Sequence, residues 1–195
     1  MLIAIDDLND WVGVYGGNPQ MQTPNIDNFA KSAVVFRNAS CPGPVCGPSR
    51  SAMLSGFMPY TTGIYRNNQN MLDAEIVQKH ATLPEYFSKN GYMTISMGKI
   101  FHKHASETGM DHGHWAFDIW EQESGSGGIL KEKLYSRNKG IFNGKVDPDA
   151  KYTDSGGSEF AWAPTKTAIE ETKDYRTARW IAEKLNEDFD KPFFM

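Results

Sequence analysis

The sequence predicts an α/β fold in which helices flank a mixed, mostly parallel sheet. Residues 2–5 form a continuous apolar run, which is typical of a parallel strand buried on both faces. A capping box over residues 82–85 starts a helix that leads into the strand-like stretch 92–97, which indicates an αβ unit. Apolar residues at helical spacing over 175–189 run into a final stretch at 191–195, as in a crossover helix that enters a strand.

The predicted helices are marked by their end signals and their apolar spacing. Pro48 suits a first helical turn and Gly56 suits the position just past a helix, so residues 48–55 are expected to form a short helix. Pro84 lies in the first turn of the helix that the capping box starts, and Gly91 closes that helix. The helical spacing near the end of the chain is that of Trp180, Ile181, Leu185 and Phe189.

The composition supports one core and excludes some partners. The chain has 195 residues, of which 39% are hydrophobic, and this is ample for one core. No apolar run is long enough to span a membrane. The formal net charge of −4 provides no general attraction for nucleic acid or sulfated polyanions, so anion binding must be local. Arg50 and Lys99 would supply that local charge.

A short motif lies at the start of the first predicted helix. Residues 46–50 read Cys-Gly-Pro-Ser-Arg, and residues 53–56 read Met-Leu-Ser-Gly. Cys46 would lie just ahead of free N–H groups and the positive end of the helix dipole, where a tetrahedral oxyanion would be held. Arg50, one turn into the helix, adds a planar guanidinium suited to bidentate contacts with oxyanions.

Plainer interpretations of these residues stay open at this point. Cys41 and Cys46 could form a structural disulfide in a loop rich in proline and glycine, or both could be buried thiols. A lone cysteine pair taken alone favours the structural interpretations, although two cysteines make no disulfide framework. Ser49 as a serine-hydrolase nucleophile is weaker, because no Gly-x-Ser-x-Gly elbow surrounds it.

The motif at 46–56 resembles the signature of type I sulfatases, which is Cys-x-Pro-Ser-Arg followed by Leu-(Thr/Ser)-Gly. The resemblance is closest to iduronate-2-sulfatases and implies an alkaline phosphatase-like α/β fold. It also implies that a formylglycine-generating enzyme oxidises Cys46 to Cα-formylglycine, whose hydrated aldehyde attacks sulfur.

Asp6 and Asp7 directly follow the predicted first strand. Open α/β sheets bind ligands beyond the carboxyl ends of their strands, so two carboxylates there could hold a hard cation. An ordinary acid pair in a turn or at a helix start is the plainer interpretation. The resemblance to sulfatases implies that Asp6 and Asp7, together with position 46, bind one divalent ion, usually Ca²⁺.

Residues 98–102 read Gly-Lys-Ile-Phe-His and follow the strand predicted at 92–97. This segment resembles the Gly-Lys-x-x-His segment of iduronate-2-sulfatases. The resemblance implies that Lys99 contacts the sulfate and that His102 handles the proton of the formylglycine hydroxyl. A histidine suits that role because its unperturbed pKa lies near neutrality. Standing alone, the segment would favour a solvated lysine and a surface histidine.

The middle of the chain, at about 103–170, mixes glycines, acids and aromatic residues without sustained periodicity. We interpret it as a variable, loop-rich insertion near the mouth of the pocket. Asp111-His112-Gly113 matches a sulfatase metal triplet by chance, because no hydrophobic strand precedes it, and no second ligand cluster supports a zinc site. Packing is the favoured role, ahead of stacking on sugar rings, for Trp115, Phe117, Trp120 and Trp162.

The sequence-based hypothesis is therefore the N-terminal portion, 1–195, of a single sulfatase catalytic domain that is incomplete at its C-terminus. The expected activity is hydrolysis of a sulfuric ester on a sulfated carbohydrate, such as an iduronate-2-sulfate-like group or another polysaccharide sulfate. Choline sulfate, phosphonate or phosphate ester hydrolysis and an inactive truncated fragment remain alternatives. The family resemblance implies a periplasmic, extracellular or lysosomal-type compartment.

Overall fold

The structure is a computed structural model. It describes residues 1–6, 8–102, 117–121 and 168–195, together with the backbone of 141–142, 145–146, 151–155 and 158–162. The α-helices in chain order are α1 Pro24–Ala30, α2 Cys46–Ser55, α3 Pro59–Thr62, α4 Glu75–Gln78, α5 Leu83–Lys89 and α6 Lys173–Leu185. The strands are β1 Met93–Met97, β2 Ile119–Glu121, β3 Ile141–Phe142, β4 Lys145–Val146, β5 Lys151–Ser155, β6 Ser158–Trp162 and β7 Phe193–Phe194.

A three-stranded parallel sheet lies at the centre of the described part of the chain. Strand β1 is in the middle, with β2 on one side and β7 on the other, and both neighbours run parallel to it. Ile95 is opposite Ile119, and Met93 is opposite Phe193. The strands predicted at 92–97 and after the last helix are thus confirmed, as is an α/β architecture.

The register between β1 and β2 is secured by a polar pair next to the sheet. Thr94 is fully buried, and its backbone N–H and hydroxyl both donate to Asp118 Oδ2, at 2.8 and 2.9 Å. The Asp118 N–H donates in turn to Thr94 Oγ1 at 3.0 Å. These bonds satisfy polar groups that would otherwise be costly to bury.

Helices α5 and α6 both pack on β1. The predicted capping box is present, since Thr82 and Glu85 satisfy each other's backbone groups at the start of α5. The ring of Phe87 on α5 stacks on Phe194 of β7, with centroids 4.3 Å apart. Helix α5 is thereby fixed against the edge of the sheet.

Helix α6 ends at Leu185, four residues before the end of the predicted helical pattern. Asn186 follows as the C-cap, and its side-chain amide donates to the Ala182 carbonyl at 2.9 Å. A capping side chain satisfies a carbonyl that helix continuation would have used. Phe189 therefore lies outside the helix, where its ring contacts Phe193 at a centroid distance of 5.5 Å.

The prediction of a buried strand at residues 2–5 is wrong. No strand is present there, and Leu2, Ile3 and Ile5 are 46%, 70% and 54% exposed. The Leu2 N–H donates to the carbonyl of Met195, the residue after β7, at 2.6 Å. A strand buried on both faces needs layers on both sides, and the described part of the chain does not cover these side chains.

Part of the stretch interpreted as an insertion belongs to the central sheet, because β2 lies within it. Phe117 is buried in the core and Trp120 packs against it, so these two aromatic residues pack as favoured. Strands β3 and β4 form one short antiparallel pair, and β5 and β6 form another. Trp115, the 111–113 triplet and the side chain of Trp162 lie outside the described residues.

Candidate active site

Helix α2 begins at Cys46 itself, two residues earlier than the proline signal predicts. Val45 precedes it in an extended conformation, and Gly56 ends it with φ of 76°, the left-handed value that favours glycine. A one- or two-residue shift at a helix end is common. Cys46 is half-buried at this N-terminus. Cys41 and Cys46 are both free thiols, so the disulfide between them that the sequence left open is not present.

The first turn of α2 is held from outside by Asn67, a residue that sequence reasoning missed. The Gly47 N–H donates to Asn67 Oδ1 at 2.7 Å, which satisfies one of the free donors of the helix start. A Cβ at position 47 would lie 3.0 Å from that oxygen and 3.2 Å from the Asn67 Cα, so glycine permits the close approach. No local pattern marks Asn67, because it lies 20 residues from Gly47.

Arg50 is buried and joins three segments of the chain. Its Nη1 donates to the carbonyls of Lys99 and Ile100, the latter at 3.1 Å, in the segment that follows β1. Its Nη2 donates to Asp6 Oδ1 at 2.9 Å. A guanidinium has several N–H donors in a fixed plane, so it can bond to acceptors in different segments at once. Helix α2, the end of β1 and the N-terminal segment are thereby tied together.

Asp6 accepts from two cationic side chains. Besides the bond from Arg50, its Oδ2 accepts from Lys99 Nζ at 2.5 Å. The Lys99 hydrogen bond is the main cause that holds the pKa of Asp6 below its usual value, Arg50 adds to it, and partial burial opposes both. Asp6 is therefore a carboxylate at neutral pH.

A cleft of about 1140 Å³ opens beside this cluster, and its lining includes Asp6, Cys46 and Arg50. The structure thus brings Asp6, Cys46 and Arg50 together, with Lys99 bonded to Asp6. Lys99 and His102 are both half-buried, and neither is among the described residues that line the cleft. Asp7 lies outside the described residues.

A family model described as Sulfatase matches residues 1–195. The chain belongs to the sulfatase family. This match confirms the resemblance to sulfatases and the predicted α/β fold class. Within the part of this sulfatase that the structure describes, no helix is long and apolar enough to cross a membrane.

Individual relatives agree with the family assignment. The chain is 32% identical over 200 residues to a sulfatase of Formosa agariphila, an alignment that covers 100% of the chain and 37% of the relative. It is 37% identical over 130 residues to human iduronate 2-sulfatase, covering 64% of the chain and 22% of the relative. It is 35% identical over 131 residues to human N-acetylgalactosamine-6-sulfatase, covering 62% of the chain and 24% of the relative. The chain therefore spans well under half the length of these sulfatases.

The carboxylate oxygens of Asp6 are possible ligands for a hard divalent cation. Each Asp6 oxygen accepts one bond, and an ionised carboxylate offers about four lone-pair sites, so acceptor capacity remains. Oxygen donors suit Ca²⁺, which takes about six to eight of them. Among the described residues no group of three or more candidate ligands is found, so Asp6 fits such a cation only together with further oxygens.

Acid is expected to weaken the ion pairs of Asp6. A carboxylate with a depressed folded-state pKa contributes stability that is present above its ordinary value near 3.8 and is lost as the pH falls through the lower folded value. We therefore expect Asp6→Asn, measured with a chelator present, to have a lower urea midpoint than the unchanged protein at neutral pH. The fall of the midpoint between about pH 5 and pH 2 should be smaller in the variant than in the unchanged protein.

A matched control for this pH dependence is Glu75→Gln, which removes the exposed i,i+4 pair with Lys79. An exposed pair of this kind contributes little, so the control should follow the unchanged protein at every pH. If the urea midpoints of Asp6→Asn and the unchanged protein fell equally with pH, the ion pairs of Asp6 would not be the source of the pH dependence.

Proposed function

We propose that the intact protein hydrolyses a sulfuric ester on a sulfated carbohydrate and uses position 46, oxidised to Cα-formylglycine, as its nucleophile. The observation that carries the proposal is the place of Cys46, at the N-terminus of α2 in a cleft that it shares with Asp6 and Arg50. Membership of the sulfatase family and relatives named for sugar sulfates support it.

A hydrated formylglycine supplies one hydroxyl to attack sulfur and a second whose deprotonation restores the aldehyde and releases sulfate, so one hard displacement becomes two easier steps. The protein's part is to hold the anionic group against position 46. The positive end of the dipole at the start of α2 suits a sulfate there. The Gly47 N–H donates to Asn67 and the Ser49 N–H donates to the Val45 carbonyl at 3.0 Å, while Pro48 has no N–H. The Cys46 N–H is the backbone donor of that turn that these bonds leave for a sulfate.

Lys99 is the cation that we assign to the sulfate oxygens. An ammonium has three donors, and one of them is directed at Asp6, so two are left for a substrate. Its side chain is 24% exposed, whereas that of Arg50 is 9% exposed. Oriented donors of this kind stabilise charge that develops during transfer.

Arg50 acts mainly by positioning in this proposal. The guanidinium directs its Nη donors at Asp6 and at the carbonyls of residues 99 and 100, which holds the Lys99 segment beside α2. A sulfate contact from its remaining donors would add to this role. Arg50 thus links the nucleophile helix to the proposed sulfate-binding lysine.

His102 and the cation complete the proposed site. The imidazole of His102, three residues beyond Lys99, is the group that we propose to exchange a proton with the hydroxyl at position 46. Asp6, Asp7 and the oxidised residue 46 would hold Ca²⁺, which supplies positive charge for the sulfate oxygens. The proposed partners are a sulfated carbohydrate and a formylglycine-generating enzyme, in a periplasmic, extracellular or lysosomal-type compartment.

Mass spectrometry of protein co-expressed with a formylglycine-generating enzyme tests the nucleophile. Trypsin cuts after Arg37 and Arg50, so one peptide carries both cysteines. We expect fragment ions to show sulfur and two hydrogens replaced by one oxygen at position 46, and an intact thiol at Cys41. An unchanged thiol at position 46, or conversion at position 41 instead, would contradict the proposal.

A further inference from the structure

We propose that Gln69 is a positioning residue for position 46 and that it acts through Asn67. Gln69 closes the loop of residues 63–69, which we call the brace, and the brace holds the first turn of α2 through the bond from the Gly47 N–H to Asn67. This inference rests on the proposed function, because position 46 is the proposed nucleophile. It adds a supporting residue that lies outside the motif at 46–56.

The brace follows α3 and contains no helix or strand of its own. Gln69 Oε1 accepts from the backbone N–H groups of Tyr65 and Arg66, at 2.8 and 2.9 Å. Gln69 Nε2 donates to the Gly63 carbonyl at 2.9 Å. Among the bonds described within the brace, the one between backbone groups runs from the Gln69 N–H to the Arg66 carbonyl, at 3.3 Å. One side chain therefore supplies most of the bonds that fix the shape of the brace.

Both ends of the brace are anchored independently of Gln69. Ile64 near its start is buried. Asn70, directly after its end, is buried as well, and its side chain accepts from the Leu72 N–H at 3.1 Å. Because the ends are held in this way, loss of the Gln69 side chain should loosen the middle of the brace, where Asn67 lies, and leave the surrounding fold in place.

The brace meets the nucleophile helix at Gly47. Besides the 2.7 Å bond to Asn67 Oδ1, a Cβ at position 47 would lie 3.3 Å from the Arg66 carbonyl oxygen, so the backbone of the brace packs against this turn. The Gly47 nitrogen belongs to the planar peptide group that also contains the Cys46 carbonyl. A bond that fixes this nitrogen therefore limits rotation of the peptide group and holds the backbone of residue 46.

Kinetics of the intact, matured protein test the positioning role. In Gln69→Ala we expect kcat to fall about 10- to 100-fold, because small misplacement of a reacting group is costly, and KM to stay within about twofold. KM should change little because Gln69 is not among the described residues that line the cleft. Gln69→Glu keeps the acceptor for Tyr65 and Arg66, so it should recover most of kcat. Unchanged kcat in Gln69→Ala would overturn the proposal, even if its thermal stability were lower.

A double variant tests whether Gln69 acts through Asn67. Asn67→Ala removes the acceptor of the Gly47 N–H and should also lower kcat. If Gln69 acts only by presenting Asn67, the double variant Asn67→Ala/Gln69→Ala should have the kcat of Asn67→Ala within about twofold. A loss equal to the product of the two single losses would show that Gln69 acts independently of Asn67, and it would overturn the proposal.

The matched control is Gln78→Ala on α4. The Gln78 side chain also donates to a backbone carbonyl six residues earlier in the chain, that of Leu72, at 2.6 Å. The bonds described for Gln78 do not involve the brace, so kcat should match that of the unchanged protein. An equal fall of kcat in Gln78→Ala and Gln69→Ala would overturn a specific role of the brace.

Failure of the brace can be separated from failure of the proposed reaction. Hydrogen exchange of the Gly47 amide, followed by NMR with isotope-labelled glycine, needs no turnover and is measured on intact Cys46→Ala protein with and without Gln69→Ala. We expect exchange about 10-fold faster or more when Gln69 is replaced, and no change with Gln78→Ala. Faster exchange would support the brace even if no sulfate is released. Equal exchange rates with and without Gln69 would overturn it, whether or not the unchanged protein is an active sulfatase.

Discussion

Replacing Cys46 with alanine is expected to abolish release of sulfate by the intact, matured protein while the fold is retained. Removal of a covalent nucleophile typically costs on the order of 10³-fold or more in kcat. The change removes one sulfur from a half-buried side chain at the start of α2, and alanine is a good helix former, so little change in stability is expected. The measurement is sulfate release at saturating substrate, with circular dichroism and thermal unfolding on the same samples.

Cys41 supplies the matched control, because it is the second free cysteine and lies in the same tryptic peptide. Cys41→Ser should keep both turnover and conversion of position 46. The serine variant Cys46→Ser is informative in another way, since some anaerobic maturation systems accept serine and others do not. Retained turnover in Cys46→Ala would contradict the proposal that residue 46 is the nucleophile.

Replacing Arg50 with alanine is expected to lower the free energy of unfolding by about 2–4 kcal/mol, because it leaves the carbonyls of residues 99 and 100 and one oxygen of Asp6 without their donor. Turnover should fall as well, since the Lys99 segment would no longer be tied to α2. Arg50→Lys should recover only part of either loss, because a single ammonium does not reproduce the fork of a guanidinium. Urea unfolding and sulfate release on the same preparations check both parts.

The control for Arg50 is Arg179→Ala on α6, which removes an exposed guanidinium paired with Glu183. Because exposed pairs of this kind contribute little, its urea midpoint should match that of the unchanged protein. An equally small shift in Arg50→Ala would show that the bonds of Arg50 do not hold the three segments together.

Local signals predicted the helices near the site well. The proline and glycine at either end of α2, and the capping box of α5, act within one or two turns, so neighbouring residues alone establish them. The failure at residues 2–5 has a different cause. An apolar run shows that a segment favours burial, but whether it is buried depends on which layers cover it, and those come from distant parts of the chain.

The motif at 46–50 and the segment at 98–102 were sufficient to recognise the sulfatase family and to select Cys46, Arg50 and Lys99 as candidates. Only the tertiary structure showed how those candidates meet. Asp6 bonds to Arg50 across 44 residues and to Lys99 across 93, and Gly47 bonds to Asn67 across 20. A sequence by itself determines end signals and chemical types, because these depend on neighbours. Which guanidinium binds which carboxylate, and which amide supports the nucleophile helix, is decided by packing of elements that are distant in the chain.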